Sequence, residues 1–136
     1  MAKIRVGCAT MVERGGKLLL GVRGKEPDYG NLVIPGGGVD IFEDFHETAR
    51  REILEETGIV IKNLEQFGVR QIIKPERDYH TIIIYWTAQY QSGELKPSDD
   101  LLDAKFYSKR EIEDAVEQGK LYGVNVDVLK DAGWIG

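Results

Sequence analysis

Residues 37–59 read GGVDIFEDFHETARREILEETGI, and most predictions about the fold and function of the chain rest on this stretch. Asp44 is followed three residues later by Glu47, which is the spacing of a capping box at a helix start. Gly58 stands where helices commonly end on a glycine. We therefore predict a helix over residues 44–57, entered from a glycine-rich segment.

The predicted helix has an apolar face that also carries acidic residues. Successive helical residues turn by about 100°, which gives a core-facing stripe made of Phe45, Ala49 and Ile53. Measured from Phe45, Glu56 lies at about 20°, Glu52 at about 340° and Glu55 at about 280°. Three carboxylates therefore share one arc of the helix, and Glu56 points into the apolar stripe.

Such a cluster of like charges is costly without a partner. Glu52 repels Glu55 and Glu56 by about 0.2–0.5 kcal/mol per pair, and burial without compensation costs more. A Mg²⁺ or Mn²⁺ ion would remove both penalties, because these cations prefer oxygen ligands. Arg51 can pair with Glu55 at i+4 and orient it. A solvated charged face explains the same pattern, so helix geometry alone leaves both interpretations open.

Position by position, the stretch resembles the Nudix box, the signature of the Nudix hydrolase family. That motif is a glycine, five residues, Glu, seven residues, Arg-Glu, an aliphatic residue, any residue, Glu-Glu, any residue, Gly and an aliphatic residue. All its specified positions are filled, by Gly37, Glu43, Arg51, Glu52, Ile53, Glu55, Glu56, Gly58 and Ile59. A chance match at one register is on the order of one in a billion.

The resemblance implies a fold and a reaction. The fold is an α/β/α sandwich, in which helices cover both faces of a mixed β-sheet, and one domain spans residues 1–136. The reaction is the Mg²⁺-dependent hydrolysis of a nucleoside diphosphate that is linked to another group. A metal suits this reaction, because it neutralises phosphate oxygens and lowers the pKa of the attacking water.

Residue roles follow from the same resemblance. Metal-binding oxygens are implied for Gly37 (through its backbone carbonyl), Glu52, Glu55 and Glu56. Arg51 would hold the carboxylates in place, and Glu43 would assist through the metal's outer shell or a water. The general base varies within the family, so Glu55 and Glu56 both remain candidates here.

Two positions depart from the family pattern. Phe42 replaces the usual glycine just before Glu43, which predicts a different path for this loop. Leu32 replaces a tryptophan that many members carry, which removes base stacking at that point. Neither departure touches an implied metal ligand.

Further candidates lie outside the box. Arg23 is a candidate phosphate contact, Tyr29 a candidate base contact, and Asp100 a candidate additional catalytic or metal-binding acid. Asp100 belongs to an acidic segment that also contains Asp99 and Asp103. Each of these has an ordinary alternative as a solvated or turn-forming residue. His80 is expected to pack rather than to catalyse.

The remaining pattern predicts alternating strands and helices. Strands are expected at residues 4–12, 17–22, 32–34, 59–61, 67–74, 79–90 and 104–107. The run at 79–90 is apolar on both faces, which is typical of a central, covered strand. Helices are expected at 108–118 and 125–131. The run of glycines after Pro35 predicts a sharp bend or a close approach to a ligand rather than a strand.

Composition narrows the function classes. The net charge of −5 argues against an extended nucleic-acid surface, which needs clustered Lys and Arg. No run is long and apolar enough to predict a membrane span, and the first residues lack the apolar centre of a signal peptide. We therefore expect a cytoplasmic protein with a small nucleotide as its substrate. The family resemblance also allows a homodimer.

Two functions from different classes fit the sequence. The first is an active nucleotide pyrophosphohydrolase, which the complete set of box acids favours. The alternative is a catalytically silent Nudix-fold module that senses nucleotides or reads RNA ends. For the enzyme, the substrate stays open between a nucleoside triphosphate, including an oxidised one, and ADP-ribose. Pro75, sixteen residues past Ile59, is a weak marker for ADP-ribose, because a proline between strands needs no functional reason.

Overall fold

A computed structural model describes residues 3–26, 28–98 and 100–136. Its strands are β1 (Arg5–Arg14), β2 (Lys17–Arg23), β3 (Leu32–Val33), β4 (Gly36–Gly38), β5 (Val60–Lys74), β6 (Tyr79–Ser92) and β7 (Leu101–Tyr107). Its helices are α1 (Phe45–Thr57), α2 (Lys109–Glu117) and α3 (Val124–Asp131), with one 3₁₀ turn at Pro75–Arg77. Over the described residues, no helix combines the length and apolarity needed to span a membrane.

The strands form one mixed sheet in the order β3-β2-β1-β6-β5, with β4 paired to β1 and β7 paired to β2. Strand β6 lies inside the sheet, between β1, to which it is parallel, and β5, to which it is antiparallel. Tyr85 and Trp86, which are neighbours on β6 and point to opposite faces, are each 2% exposed. The sequence-based prediction that this strand is covered on both faces is confirmed, although β1 and not β6 is the middle strand.

Helices cover both faces of this sheet. On one face, Ala49 of α1 packs in a cluster with Cys8, Ile84 and Trp86. On the other face, residues of α2 and α3 pack against Ala9, Met11 and Tyr85. The predicted α/β/α sandwich is therefore confirmed. Cys8 is 2% exposed, so its thiol is buried.

The glycine run differs from its prediction. Gly36–Gly38 is a short strand, paired with Gly7, Cys8 and Ala9 of β1, rather than a bend. The backbones approach so closely that a Cβ added to Gly36 would lie 2.0 Å from the carbonyl oxygen of Cys8. Glycine is required because this pairing leaves no room for a side chain.

Strand β5 also differs, since residues 60–74 form one strand instead of two. Its pairing with β6 is interrupted by register shifts between Lys62 and Glu65 and between Gln66 and Gly68. Such irregularities let the chain stay paired where the alternation of apolar residues is lost. The Nε2 atom of His80 on β6 lies 2.8 Å from Oε1 of Gln71 across this pair, and the expected packing role of His80 stays a prediction.

The ends of α1 follow their predictions in part. Gly58 ends the helix with φ 81°, as expected. Asp44 is the N-cap, but its carboxylate accepts from the backbone N–H of His46 at 2.8 Å. Phe45 proves 43% exposed, because the buried face begins one turn later with Thr48, Ala49 and Ile53. The complete capping box is found instead at Ser108 and Glu111 of α2.

Candidate active site

Arg51 organises the acidic residues around α1. Its Nε donates to Glu43 Oε2 at 2.7 Å and its Nη2 donates to Glu43 Oε1 at 2.8 Å. Its Nη1 donates to Glu52 Oε1 at 2.7 Å and to Glu55 Oε2 at 3.2 Å. Its Nη2 also donates to the carbonyl oxygen of Gly38 at 3.0 Å. One guanidinium thus ties three carboxylates to the strand that precedes the helix.

These contacts change the acid–base properties of the group. Hydrogen bonds from Arg51, followed by one from the Thr48 hydroxyl, lower the pKa of Glu43 to about 2. The same contact with Glu43 raises the pKa of Arg51 above its ordinary value. Burial raises the pKa of Glu52, despite the hydrogen bond from Arg51. Arg51 therefore favours the charged form of Glu43, whereas for Glu52 the effect of burial outweighs that of Arg51.

The three glutamates differ in burial as helix geometry predicted. The side chain of Glu55 is 47% exposed and that of Glu52 is 12% exposed. Glu56 is 5% exposed, although it is a charged residue. The carbonyl oxygen of Glu56 accepts from the backbone N–H of Ser98 at 3.0 Å, which fixes the loop before β7 against the end of the helix.

Gly37 brings the short strand β4 against the carboxylate of Glu52. A Cβ added to Gly37 would lie 2.3 Å from Glu52 Oε2, so only glycine admits this approach. The carbonyl oxygen of Gly37 lies over Gly7, 3.0 Å from where a Gly7 side chain would begin. The carboxylate of Glu52 thus lies directly against the backbone of β4 at Gly37.

This donor set fits Mg²⁺ or Mn²⁺, since it consists of hard oxygen atoms around a partly buried, like-charged cluster. Among the described residues, no three acidic, His or Cys side chains form a preformed cage for a cation. Glu52 and Glu55 instead each contact the guanidinium of Arg51. Metal binding at these residues stays a prediction.

A cavity of about 400 Å³ lies beside the acidic cluster. Glycines 36–38 and Glu56 line it together with residues of β1, β6 and α3, and β2, β3, β5 and β7 contribute single residues. Its apolar lining includes Val33, Ile72, Ile83, Tyr85 and Val124. The volume is in the range of pockets that hold small ligands.

The structure separates the other sequence candidates. Arg23 and Asp100 both line the cavity, and Asp100 pairs with Lys25 at 2.9 Å. Tyr29 is 57% exposed and does not line the cavity. Asp103 is exposed on β7, and Asp99 lies outside the described residues. Arg23 and Asp100 are therefore the candidates with access to a ligand.

The structure also adds residues that the sequence did not single out. Arg5, Tyr79, Thr81 and Asn125 line the cavity from β1, β6 and α3. The signal that could have found Arg5 is strand alternation, because Arg5 and Gly7 point to the same face. Thr81 joins them only through the parallel pairing of β1 with β6, in which Arg5 is opposite Thr81. Nothing in the local sequence indicates that pairing.

Phe42 has a backbone conformation that favours glycine, the residue that the family usually carries here. Its φ is 68°, in the left-handed region, and its side chain is fully exposed at 103% of its reference area. Glu43 reaches Arg51 with Phe42 in this conformation, and a different path of the loop relative to the family stays a prediction. Leu32 is 7% exposed and belongs to the core, so it offers no stacking surface.

Relatives of known sequence share the region that contains this site. The chain is 37% identical over 99 residues to an ADP-ribose pyrophosphatase of Methanocaldococcus jannaschii, a match that covers 71% of this chain and 57% of that protein. It is 33% identical over 101 residues to an NAD-capped RNA hydrolase NudC of Mannheimia succiniciproducens, covering 71% of this chain and 36% of that protein. The match thus spans about half of the first relative and about a third of the second.

Solved structures share the architecture. A MutT NUDIX hydrolase from Burkholderia pseudomallei is 27% identical, with a TM-score of 0.75, over 85% of this chain and 98% of that one. A NUDIX hydrolase from Nitrosomonas europaea has a TM-score of 0.82 over 96% of this chain and 88% of that one, and at 21% identity it supports the fold alone. Residues 1–124 match the model of the NUDIX domain. Because that match covers most of the 136 residues and includes the whole acidic cluster, the chain belongs to the Nudix hydrolase family.

Proposed function

We propose that the protein hydrolyses the diphosphate linkage of a nucleoside diphosphate joined to a second group, with Mg²⁺ as cofactor and ADP-ribose as the first substrate to test. The observation that carries the proposal is that Glu56 is shared by the acidic cluster and the cavity. It belongs to the acidic cluster of α1, and it also lines the cavity. A ligand that fills the cavity would therefore meet the acidic cluster at Glu56 and glycines 36–38.

The proposed division of roles follows from burial and contacts. Glu52, Glu55, Glu56 and the Gly37 carbonyl would hold the cation, which supplies charge neutralisation and a water of lowered pKa when bound. Arg51 would keep Glu52 and Glu55 oriented, because it already donates to both. Glu43 would hold Arg51 in turn. Arg23, on the cavity wall, would contact a substrate phosphate.

The general base is proposed to be Glu55 or Glu56, since each is a carboxylate next to the place where a water would attack. The two have opposite surroundings, because Glu55 is exposed and Glu56 is buried at the cavity. Replacement of each by Gln keeps its shape and removes its basicity. The hydrolysis rate of each variant is measured as a function of pH, together with its affinity for Mg²⁺. The base is the residue whose replacement removes the rise of the rate with pH and leaves the Mg²⁺ affinity unchanged.

ADP-ribose is favoured over a nucleoside triphosphate by one comparison. The relative from Methanocaldococcus jannaschii is named an ADP-ribose pyrophosphatase. The cavity is also lined by the apolar side chains of Ile72, Ile83 and Tyr85, which would suit the nucleoside of either substrate. Pro75 adds little, since it begins the 3₁₀ turn between β5 and β6.

The experiment is a substrate panel in the presence of Mg²⁺. ADP-ribose, nucleoside triphosphates, NAD and dinucleoside polyphosphates are incubated with the protein, and products are separated by chromatography. We expect ADP-ribose to give AMP and ribose 5-phosphate, with one oxygen from labelled water in the products. EDTA should stop the reaction without unfolding the protein. Tight binding of these nucleotides with no turnover would instead support the silent sensor module.

The partners we propose are small nucleotides in the cytoplasm. A homodimer stays a prediction, and size-exclusion chromatography with light scattering tests it.

A further inference from the structure

We propose that Arg5 is a second phosphate-binding residue of this site, which recognises the diphosphate of the substrate from β1. The inference rests on the proposed function, because it assumes that a diphosphate occupies the cavity. It is carried by the position of Arg5 relative to Gly37, by its lack of a partner and by the charges of the cavity wall.

Arg5 lies on the same face of β1 as Gly7, where the Gly37 carbonyl reaches the cavity. Residues two apart on a strand point to one face and are about 6.6 Å apart. The carbonyl oxygen of Gly37 sits over Gly7, 3.0 Å from where a Cβ would begin. An arginine side chain can cross this spacing, so a phosphate near the Gly37 carbonyl is within reach of the Arg5 guanidinium.

The guanidinium of Arg5 is also available. Among the residues that the structure describes, no hydrogen bond or ion pair joins the side chain of Arg5 to another residue. Arg51, by contrast, is engaged by Glu43, Glu52 and Glu55. An arginine with five donors at a cavity wall is suited to a phosphate, which it can bind through two parallel hydrogen bonds.

The charges of the cavity wall call for such a residue. Among its described lining residues, Arg5 and Arg23 are positive, whereas Asp28, Glu56 and Asp100 are negative. The negative lining residues repel a diphosphate. The metal and these two arginines would therefore supply the positive charge that holds it. Arg5 extends from β1 and Arg23 from the end of β2, so the two arginines approach the cavity from different strands. Thr81 lies beside Arg5 on β6 and offers a hydroxyl donor to the same group.

The test compares Arg5→Ala and Arg5→Lys with Lys3→Ala, an exposed cation near the same strand that does not line the cavity. Calorimetry with Mg²⁺ measures binding of the α,β-methylene analogue of ADP-ribose, which cannot be hydrolysed at that linkage, and of adenosine, which has no phosphate. We expect Arg5→Ala to weaken binding of the analogue by about 10- to 100-fold and to leave adenosine binding unchanged. Arg5→Lys should fall between, and Lys3→Ala should match the wild type.

Two results would overturn the inference. In the first, Arg5→Ala binds the analogue as tightly as the wild type does. In the second, Arg5→Ala loses affinity for adenosine and for the analogue to the same extent. A wild-type protein that fails to bind the analogue would overturn it as well. Failure of the proposed hydrolysis gives a different result. In that case the wild type binds the analogue in a way that depends on Arg5 but does not cleave ADP-ribose. Thermal unfolding of each variant confirms that the fold is retained.

Discussion

Arg51 and Glu43 are joined by two hydrogen bonds, from Nε to Oε2 at 2.7 Å and from Nη2 to Oε1 at 2.8 Å. Both atoms of the Glu43 carboxylate are thereby used, so Glu43 acts as the anchor of Arg51. The remaining nitrogen of the guanidinium, Nη1, is left for Glu52 and Glu55. The geometry of the proposed metal ligands thus depends on a pair of residues that need not touch the metal.

Arg51→Lys should therefore lower activity more than it lowers stability. A lysine keeps the charge but cannot hold Glu43 through two bonds while reaching Glu52 and Glu55. We expect a loss of about 10- to 100-fold in kcat/KM at fixed Mg²⁺, which is the usual effect of disturbing residues that orient metal ligands. Steady-state kinetics with a Mg²⁺ titration measures it. Arg50→Lys, on the exposed neighbouring position, is the control and should behave as wild type.

Gly36→Ala and Gly37→Ala should separate structure from function. At Gly36 the new Cβ would meet the backbone carbonyl of Cys8, which cannot move without unpairing β4 from β1. At Gly37 it would meet the carboxylate of Glu52, a side-chain end that can swing away. We expect Gly36→Ala to lower the free energy of unfolding by about 1–3 kcal/mol.

Gly37→Ala should keep most of the stability and lose turnover by about 10- to 100-fold, because Glu52 is displaced from its place beside β4. Urea denaturation and ADP-ribose kinetics on both variants provide the comparison. Equal losses of stability in the two variants, with activity retained in Gly37→Ala, would show that the Gly37–Glu52 approach has no functional part.

Glu111 should make the protein less stable in acid. A hydrogen bond from the backbone N–H of Ser108, then one from Lys105, lowers the pKa of Glu111 from 4.5 to about 2. Since the pKa is lower in the folded protein, this stabilisation is complete above about pH 4.5 and is lost as the pH falls toward 2. Glu111→Gln should therefore flatten the fall in unfolding free energy over that range.

Urea denaturation at several pH values measures this effect. Glu113→Gln, at an exposed position of the same helix, is the matched control and should leave the slope as in the wild type. If the unfolding free energy of Glu111→Gln fell with pH as steeply as that of the wild type, the capping box would not be the source of this pH dependence.

The helix and its acids were predictable because their signals are local. The 3.6-residue period placed Glu56 in the apolar stripe, and Glu56 is in fact 5% exposed. Gly58 marked the helix end for the same reason, since a left-handed residue there follows from the local backbone.

Features that depend on distant parts of the chain were not predictable in this way. The glycines of β4 pair with β1, and the need for that close approach arises from Cys8, nearly thirty residues away in the chain. Arg5 became a site residue only because β1 runs parallel to β6 and its odd-numbered residues face α3. Such pairings are set by tertiary packing, which no local pattern encodes.

The central claim is that the acids of α1 bind Mg²⁺ and direct it to a diphosphate in the adjacent cavity. The most direct measurement is the rate of AMP release from ADP-ribose as a function of Mg²⁺ concentration, for the wild type and for Glu56→Gln, with thermal unfolding recorded for both. The account predicts turnover only with Mg²⁺ in the wild type and a loss of at least about 100-fold in a folded Glu56→Gln. Full activity in Glu56→Gln, or wild-type turnover that continues in EDTA, would contradict it.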